Sequence, residues 1–269
     1  MRPFHLLVVT PTLGKSTFFE ETLASLDRAR SAGVRLTHVI ACPGRLISEI
    51  ASVAQNSLVV DEGESCRSMY DAINSAVAQT NFDWSHFTYI NDGDYFSKFF
   101  ANFCNILDDQ IFDIAYGLVD LVDESSEVIS PIPICRKIRH LSALWKLGKS
   151  PFTQQGTVVS REFYLKLGGF DGSYKYAADM DFWCRAINHS PRYYFHPESV
   201  AAFRLVAGQL SADRTDFDSE TIMISNKLNA PSLFLKYESL AFFYADNISR
   251  YLKRFSTVGF RRGAQLYDA

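Results

Sequence analysis

The sequence lacks the long apolar runs of a membrane-spanning protein, and it has few cysteines. No stretch of its 269 residues approaches the roughly 20 apolar residues that a helix needs to cross a bilayer. Its five cysteines stand singly, at positions 42, 66, 104, 135 and 184. They lack the close pairs of zinc sites, and their odd number argues against a disulfide framework. We therefore expect a protein of a reducing compartment that is soluble or at most peripheral to a membrane.

The N-terminus and the overall charge also lack signals for export or for nucleic acid. The opening apolar run, FHLLVV, is short and precedes no small-residue cleavage site, so it predicts a buried strand instead of a signal peptide. A net charge of -3 and a pI near 6.1 give no general attraction to polyanions. We expect a cytoplasmic globular protein that does not bind nucleic acid.

Strands and helices alternate through the first half of the chain. The segments HLLVVTPTLG, LTHVIACPG, SLVVDEG and HFTYINDGD predict four strands, and helices such as SMYDAINSAVAQT separate them. This alternation predicts an α/β fold with a mostly parallel central sheet, whose ligands bind at the C-terminal ends of the strands. The segment FDIAYGLVDLVDESSEVIS then predicts a strand, a turn and a second strand.

The C-terminal part has a different pattern. From about residue 213 the strand signal fades, and DSETIMISNKL and PSLFLKYESLAFFYADNISRYLKRF predict two helices. We therefore predict one main domain over residues 1–212 and a helical extension over 213–269 that packs on it.

The turn Asn91-Asp92-Gly93-Asp94 follows the fourth predicted strand. Two carboxylates at i and i+2 can face one cation, since the glycine between them allows a sharp bend. Carboxylate oxygens suit Mg²⁺ or Mn²⁺ that bridges a diphosphate. The same residue types are also the commonest turn formers, so the local sequence leaves both interpretations open.

A second acidic pair, Asp179 and Asp181, lies in YKYAADMDFWCRA. Asp179 is placed to cap a helix that begins near Met180. A carboxylate at the ligand-binding edge of a sheet can also act as a general base toward a hydroxyl group. The two roles are compatible.

Four blocks of the chain together resemble the inverting family 2 glycosyltransferases, which have the GT-A fold. They are VVTPTLG, MYDAINSAV, YINDGD and the long run TQQGTVVSREFYLKLGGFDGSYKYAADMDFWCRA, which is the most specific. The match covers roughly residues 5 to 210. The resemblance implies transfer of a sugar from a nucleotide diphosphate, with a UDP-sugar favoured, to a saccharide or lipid-linked acceptor in polysaccharide or glycoconjugate synthesis. It also implies a divalent metal cofactor, Mn²⁺ or Mg²⁺.

Carried over by position, the resemblance assigns roles to individual residues. Those at the nucleotide donor are Thr10, Pro11, Thr12, Asp71, Asn74, Asn91 and Asp92. Asp94 becomes the more direct metal ligand, with help from Asp92, and Asp179 becomes the catalytic base. Gln154 and Gln155 fall on the acceptor side, although a solvated loop is an equal alternative there. Arg204 is preferred to Arg185 as a guanidinium that chelates the diphosphate.

Three departures from the family pattern concern the donor and the metal. Cys42 stands where family members usually have an acid that contacts the base or the ribose. Cys66 stands where they often have a second acid, although a small gap in the alignment can bring Asp61 or Glu62 to that place. Val206 replaces a histidine that can complete the metal site, with His196 as a weak substitute. Nucleotide identity and metal requirement therefore stay open.

Two other functions remain as alternatives. A sugar-phosphate nucleotidyltransferase would favour a glycine-rich basic loop after the first strand, where TPTLGKST supplies only Gly14 and Lys15. A non-catalytic nucleotide-sugar-binding module is compatible with the changes at Cys42 and Val206.

The C-terminal segment ISRYLKRFSTVGFRRG combines basic and aromatic residues. They are Arg250, Lys253, Arg254, Arg261 and Arg262, with Tyr251, Phe255 and Phe260. Such a helix can lie on an anionic membrane surface. We favour the alternative that this segment is a solvated helix that covers the domain, or a contact between subunits, and oligomeric state is open.

Overall fold

The computed structural model describes residues 3–206 and 214–259. Its strands are β1 (Leu6–Pro11), β2 (Leu36–Cys42), β3 (Leu58–Asp61), β4 (His86–Tyr89), β5 (Tyr95–Phe96), β6 (Ile114–Val122), β7 (Val128–Pro131), β8 (Thr157–Ser160) and β9 (Tyr193–Arg204). Its α-helices are α1 (Phe19–Ser31), α2 (Ile47–Val53), α3 (Met69–Ala78), α4 (Phe100–Asp108), α5 (Leu141–Lys146), α6 (Arg161–Leu167), α7 (Ala178–Ile187), α8 (Arg214–Asn226), α9 (Leu233–Asp246) and α10 (Ile248–Val258).

Within these residues the strands form one sheet in the order β3-β2-β1-β4-β8-β6-β9-β5, and β7 pairs with β6. The strands β3, β2, β1 and β4 are parallel to one another, as the alternation of strands and helices predicts. Strands β8, β5 and β7 pair antiparallel with their neighbours. The parallel part brings the C-terminal ends of β1 and β4 to one edge of the sheet.

The core has a layer on each face of the sheet. Every residue of β1 is buried. Leu7 and Val9 belong to one apolar cluster, and Leu6 and Val8 belong to another. This alternation follows from the two-residue period of a strand. Burial on both faces is typical of a central strand in a parallel sheet that helices cover.

The helical extension differs from its prediction in one respect. Residues 231–255 predict one helix, but the structure ends α9 at Asp246 and starts α10 at Ile248. The buried side chain of Asn247 bonds both backbone groups of Ile134, accepting from the N–H at 2.9 Å and donating to the C=O at 2.7 Å. The helix is interrupted at Asn247, whose side-chain amide reaches the backbone of Ile134.

The extension contacts the main domain through all three of its helices: α8 packs on α5 and α7, α9 on α5, and α10 on β7. The predicted boundary between residues 212 and 213 lies outside the described residues. No helix in the described ranges has the length and apolar character to span a bilayer.

Candidate functional site

A cleft of about 1240 Å³ lies at the C-terminal ends of β1 and β4. Pro11 and Thr12 line it at the end of β1, and Asn91, Asp92 and Asp94 of the acidic turn that follows β4 line it as well. The N-terminal ends of α3 and α7 border it, as does one side of α8. The cleft thus occupies the edge at which a sheet of this topology binds ligands.

Asp92 lies in the acidic turn with one oxygen bonded and one unbonded. Its Oδ2 accepts a hydrogen bond from the hydroxyl of Thr12. Its Oδ1 is buried and has no hydrogen-bond partner among the described residues. Burial raises the pKa of Asp92, and hydrogen bonds from Thr12 and Ser16 oppose that rise. Gly93 takes a φ of +102°, which explains the glycine in this turn.

Asp94 is more deeply buried, at 2% exposed, and both of its oxygens have donors. Oδ1 accepts from the backbone N–H of Arg204 at 2.9 Å, and Oδ2 accepts from Gln155 Nε2 at 3.0 Å. Burial raises the pKa of Asp94 to about 7, although these hydrogen bonds lower it. Asp94 is therefore held firmly in place.

The acidic turn has the donor set for a hard divalent cation. Besides the two carboxylates, Asn91 contributes a buried Oδ1 that has no partner in the described part of the chain. Mg²⁺ sites commonly use one or two carboxylates, and substrate phosphates and water complete them. No cluster of three or more His, Cys, Asp or Glu side chains suited to a metal occurs in the described ranges. The residues fit a cation that arrives with a diphosphate better than a cation held by protein alone.

Asp179 lies in the first turn of α7, across the cleft from the acidic turn. Its Oδ1 accepts from the backbone N–H of Met180 at 2.8 Å and from the hydroxyl of Tyr70 at 3.1 Å. Oδ2 accepts no hydrogen bond from the described residues. Burial raises the pKa of Asp179, and the two hydrogen bonds to Oδ1 oppose the rise. One oxygen is thus anchored, and the other is left for a ligand.

Asp179 does not cap α7 as predicted. The helix starts at Ala178, and Ala177 is its N-cap residue without a side-chain cap. Glu220 of α8 instead holds the loop that precedes the helix, since its carboxylate accepts hydrogen bonds from the backbone N–H groups of Lys175, Tyr176 and Ala177 at 2.8 to 2.9 Å. Helix α8 thereby fixes the segment that leads to Asp179.

The two predicted glutamines are buried instead of solvated. Gln154 and Gln155 are 5% and 8% exposed and line the cleft. Gln154 donates to the carbonyl of Tyr89, and Gln155 donates to Asp94. Gln155 therefore lies at the acidic turn, so the loop alternative is wrong for both residues.

Three predicted donor residues do not face the cleft. The Thr10 hydroxyl bonds His38 Nε2 at 2.9 Å, because it points toward β2. Asp71 accepts from the backbone N–H of Arg67. Asn74 bonds the backbone N–H and C=O of Phe170 at 3.1 and 2.7 Å. These side chains hold the walls of the cleft in place, and they are not among the residues that line it.

Arg204 also differs from its prediction. Its side chain is 0% exposed, and its guanidinium donates to the carbonyls of Gly93, Asp123 and Glu124. It also forms an ion pair with Glu21. These bonds direct the guanidinium away from the cleft, which argues against the predicted contact with a diphosphate. Arg204 instead connects the acidic turn to α1 and to the β6–β7 turn. Arg185 is likewise occupied, by Asp181 and by two carbonyls of the α6 terminus.

The residues that depart from the family pattern differ in how deeply they are buried. Cys42 is fully buried. Of the two acids that a gap can place near the nucleotide, Glu62 lines the cleft, beside Cys66. Burial, with Asp61 nearby, raises the pKa of Glu62. His196 is buried against the Phe103 ring at 5.2 Å, outside the set of cleft-lining residues.

Sequence reasoning missed Tyr70 and Glu220 as site residues. Tyr70 lies within the block MYDAINSAV, beside the residues chosen there, so its position was available from the resemblance. Glu220 carries no local signal, because its bonds join residues more than 40 positions apart.

Neither a protein-family model nor a curated protein matches the sequence. Solved structures match in fold. S. aureus TarS aligns with a TM-score of 0.60 and 15% identity over 96% of this chain and 46% of that one. TarS residues 1–349 in complex with UDP-GlcNAc give 0.62 and 13% over 98% and 78%. The mannosyltransferase PcManGT from Pyrobaculum calidifontis, in complex with GDP-Man and Mn²⁺, gives 0.61 and 16% over 96% and 74%.

These similarities confirm the predicted fold, the α/β GT-A class, since the match extends over nearly the whole chain. This chain spans less than half the length of the first TarS structure. At 13 to 16% identity the comparison concerns the fold.

Proposed function

We propose that this protein is an inverting glycosyltransferase that moves a sugar from a nucleotide-diphosphate donor to an acceptor hydroxyl. One observation carries the proposal: the partly free carboxylate of Asp179 and the acidic turn with Asp92 and Asp94 line the same cleft. Structures of the same fold contain UDP-GlcNAc in TarS and GDP-Man with Mn²⁺ in PcManGT. These complexes support a nucleotide sugar as the donor.

The donor occupies the part of the cleft between β1 and the acidic turn. Pro11 and Thr12 border the nucleotide there, and Glu62 offers a carboxylate to the base. Asn91, Asp92 and Asp94 would hold a divalent cation, Mn²⁺ or Mg²⁺, at the diphosphate. When bound, the cation neutralises the charge that develops on the leaving diphosphate. We favour a UDP-sugar, and GDP-mannose is the next candidate.

The acceptor, a saccharide or a lipid-linked saccharide in polysaccharide or glycoconjugate synthesis, enters beside Asp179. Oδ2 of Asp179 takes the proton from the acceptor hydroxyl, while Tyr70 and the N–H of Met180 hold Oδ1. The deprotonated oxygen then attacks the anomeric carbon from the face opposite the diphosphate, which inverts the configuration. The raised pKa of Asp179 suits this role, because it strengthens the carboxylate as a base.

A nucleotide-sugar-binding module without catalysis is the second candidate. The buried thiol of Cys42 supports it, since a base-reading acid is missing at that position. Such a module binds nucleotide but releases no nucleoside diphosphate from a nucleotide sugar.

The test is the release of nucleoside diphosphate from UDP-sugars and GDP-mannose with Mn²⁺ and a mixture of saccharide and lipid-linked acceptors. We expect Asp179→Asn to lower the rate by about 10²- to 10⁴-fold, the range of a general base, and to bind the donor as the wild type does. Asp171→Asn is the matched control for the loss of one carboxylate, because Asp171 is exposed and lies outside the set of cleft-lining residues. Equal rates for Asp179→Asn and the wild type would overturn the assignment of the base.

A further inference from the structure

The helical extension has an unusual outer face. Every exposed aromatic residue of the described part of the chain lies on α9 or α10. These residues are Phe234, Tyr237, Tyr244 and Phe255. Leu233, Ile248 and Leu252 extend the same surface and are 62 to 72% exposed. We call these seven residues the apolar face.

The spacing of these residues places them on one side of each helix. Phe234, Tyr237 and Tyr244 recur at three- and seven-residue intervals along α9, and Ile248, Leu252 and Phe255 recur at four- and three-residue intervals along α10. No exposed acidic residue lies between positions 233 and 255. Each helix therefore contributes one exposed apolar stripe to the face.

Helix α10 exposes the apolar side that an ordinary surface helix buries. Ile248 and Leu252 are 62% and 63% exposed, whereas Arg250 is only 8% exposed and donates to the carbonyl of Asp246. Arg254 is half-buried and lines the cleft. A helix that only covers a domain buries its apolar side and exposes its charges. This orientation indicates that the apolar side of α10 meets a second apolar phase.

Basic residues surround the apolar face. The exposed segment 136–139 contacts α9, since Lys137 Nζ is 3.1 Å from the ring centre of Phe242 and Arg139 forms an ion pair with Glu238, the residue after Tyr237. Residues 136–139 and 233–258 together contain seven Lys or Arg and two acidic residues, in a chain whose net charge is -3. Positive charge is thus concentrated where the exposed apolar residues are. Phe260, Arg261 and Arg262 of the basic, aromatic C-terminal segment lie outside the described residues.

We infer that the apolar face of α9 and α10, with its basic border, docks on an anionic lipid bilayer. Apolar side chains that insert at the acyl boundary and basic side chains that attract anionic headgroups are the two components of interfacial helix binding. Lys149 and Arg254 line the cleft, and Lys149 also lies 5.9 Å from the Tyr244 ring centre. The cleft therefore opens at the border of this face. If the proposed sugar transfer holds, docking brings a lipid-linked acceptor to Asp179.

The experiment is flotation of the full chain with vesicles of phosphatidylcholine alone and of phosphatidylcholine with phosphatidylglycerol, without nucleotide sugar. Because no donor is present, the result does not depend on the proposed transfer. We expect binding to the anionic vesicles that weakens with added salt. Leu252→Glu should reduce the bound fraction about tenfold, and Lys253→Glu should reduce it on anionic vesicles.

Leu165→Glu on α6 is the matched control, because Leu165 is 53% exposed and lies outside the apolar face. It should bind like the wild type. Circular dichroism melts of each variant separate a folding defect from a docking defect, and Lys253→Glu, at an exposed position, provides an independent test. Equal binding of Leu252→Glu and Leu165→Glu would overturn the inference. So would a dimer in sedimentation that Leu252→Glu dissociates while the wild type ignores vesicles, since the face would then join two subunits.

Discussion

The hydroxyl of Tyr70 donates a hydrogen bond to Asp179 Oδ1 over 3.1 Å, and this bond joins the first turns of α3 and α7. Tyr70 is 2% exposed, and its ring contacts those of Tyr89 and Phe170. Its position is therefore fixed by packing. A hydrogen bond to the charged form of a carboxylate lowers its pKa, whereas burial raises the pKa of Asp179. Tyr70 thus sets both the orientation and the proton affinity of the proposed base.

We predict that Tyr70→Phe raises the pKa of Asp179, because the variant removes a donor from the carboxylate and leaves its burial unchanged. A hydrogen bond to a charged group contributes about 1.5–3 kcal/mol, which corresponds to about one to two pKa units. The acidic limb of the kcat/KM profile should move to higher pH by that amount. The pH dependence of transfer measures this shift.

Tyr164→Phe provides the control for Tyr70→Phe. Tyr164 is also buried, but its hydroxyl donates to Asn74 at 3.1 Å and does not touch Asp179. The profile of this variant should keep its wild-type midpoint. If both variants lower the rate equally at every pH without moving the profile, Tyr70 only supports the packing.

A second prediction concerns Arg204, whose guanidinium donates hydrogen bonds to three carbonyls and forms an ion pair with Glu21. Arg204→Met leaves these acceptors without their donor, and removal of one partner of a buried ion pair costs about 3–5 kcal/mol. We expect the lower end, since Glu21 keeps 33% of its side chain in solvent. Urea unfolding measures the loss. Arg28→Met on the same side of α1 should change the free energy of unfolding little, because Arg28 is exposed and makes one long bond.

The third prediction uses His38, which is buried between Thr10 and Ser57. Burial lowers the pKa of His38 to about 3, with a smaller contribution from Arg30. The unfolded chain binds a proton near pH 6.5, and the folded chain stays neutral there. The stabilising contribution is therefore complete above pH 6.5, and it is lost as the pH falls from 6.5 toward 3. Each pH unit in this range lowers the free energy of unfolding by about 1.4 kcal/mol.

The measurement for His38 is the difference in free energy of unfolding between the wild type and His38→Gln at pH 7 and pH 5. Buried carboxyls such as Asp94 have raised pKa values and favour the folded state on acidification. The difference between variants removes their contribution. We expect the advantage of the wild type to shrink by about 2 kcal/mol between the two pH values. An unchanged advantage would show that His38 is protonated in the folded protein.

The sequence predicts the parts of this fold and site that depend on local pattern. The buried strand β1, the acidic turn after β4 and the helix that carries Asp179 each follow from periodicity or turn chemistry over about ten residues. The parallel pairing of β1 and β4 places the ends of those two strands at one edge of the sheet. The position of Asp179 beside them follows only from the family resemblance, because its helix comes after the antiparallel strand β8. These are the features that the structure places as expected.

Side-chain direction could not be predicted in the same way. Thr10, Asn74 and Arg204 have the residue types of a nucleotide site, yet each bonds a distant segment of the chain instead. Local sequence does not determine the hydrogen-bond partner of a buried polar group, because that partner depends on tertiary packing. Glu220 shows the converse, since it lies on a predicted helix whose sequence does not indicate its bonds to the backbone of residues 175–177.

The most direct test of the account is the melting temperature of the protein with UDP, GDP, ADP or dTDP, each with Mn²⁺ and then with EDTA. A nucleotide at about 100 times its Kd stabilises the folded state by about 2.7 kcal/mol, which raises Tm by about 5 °C for a chain of this size. We predict such a rise for UDP or GDP, its loss with EDTA, and its loss in Asp92→Asn. No rise with any of the four nucleotides would contradict a donor site in the cleft.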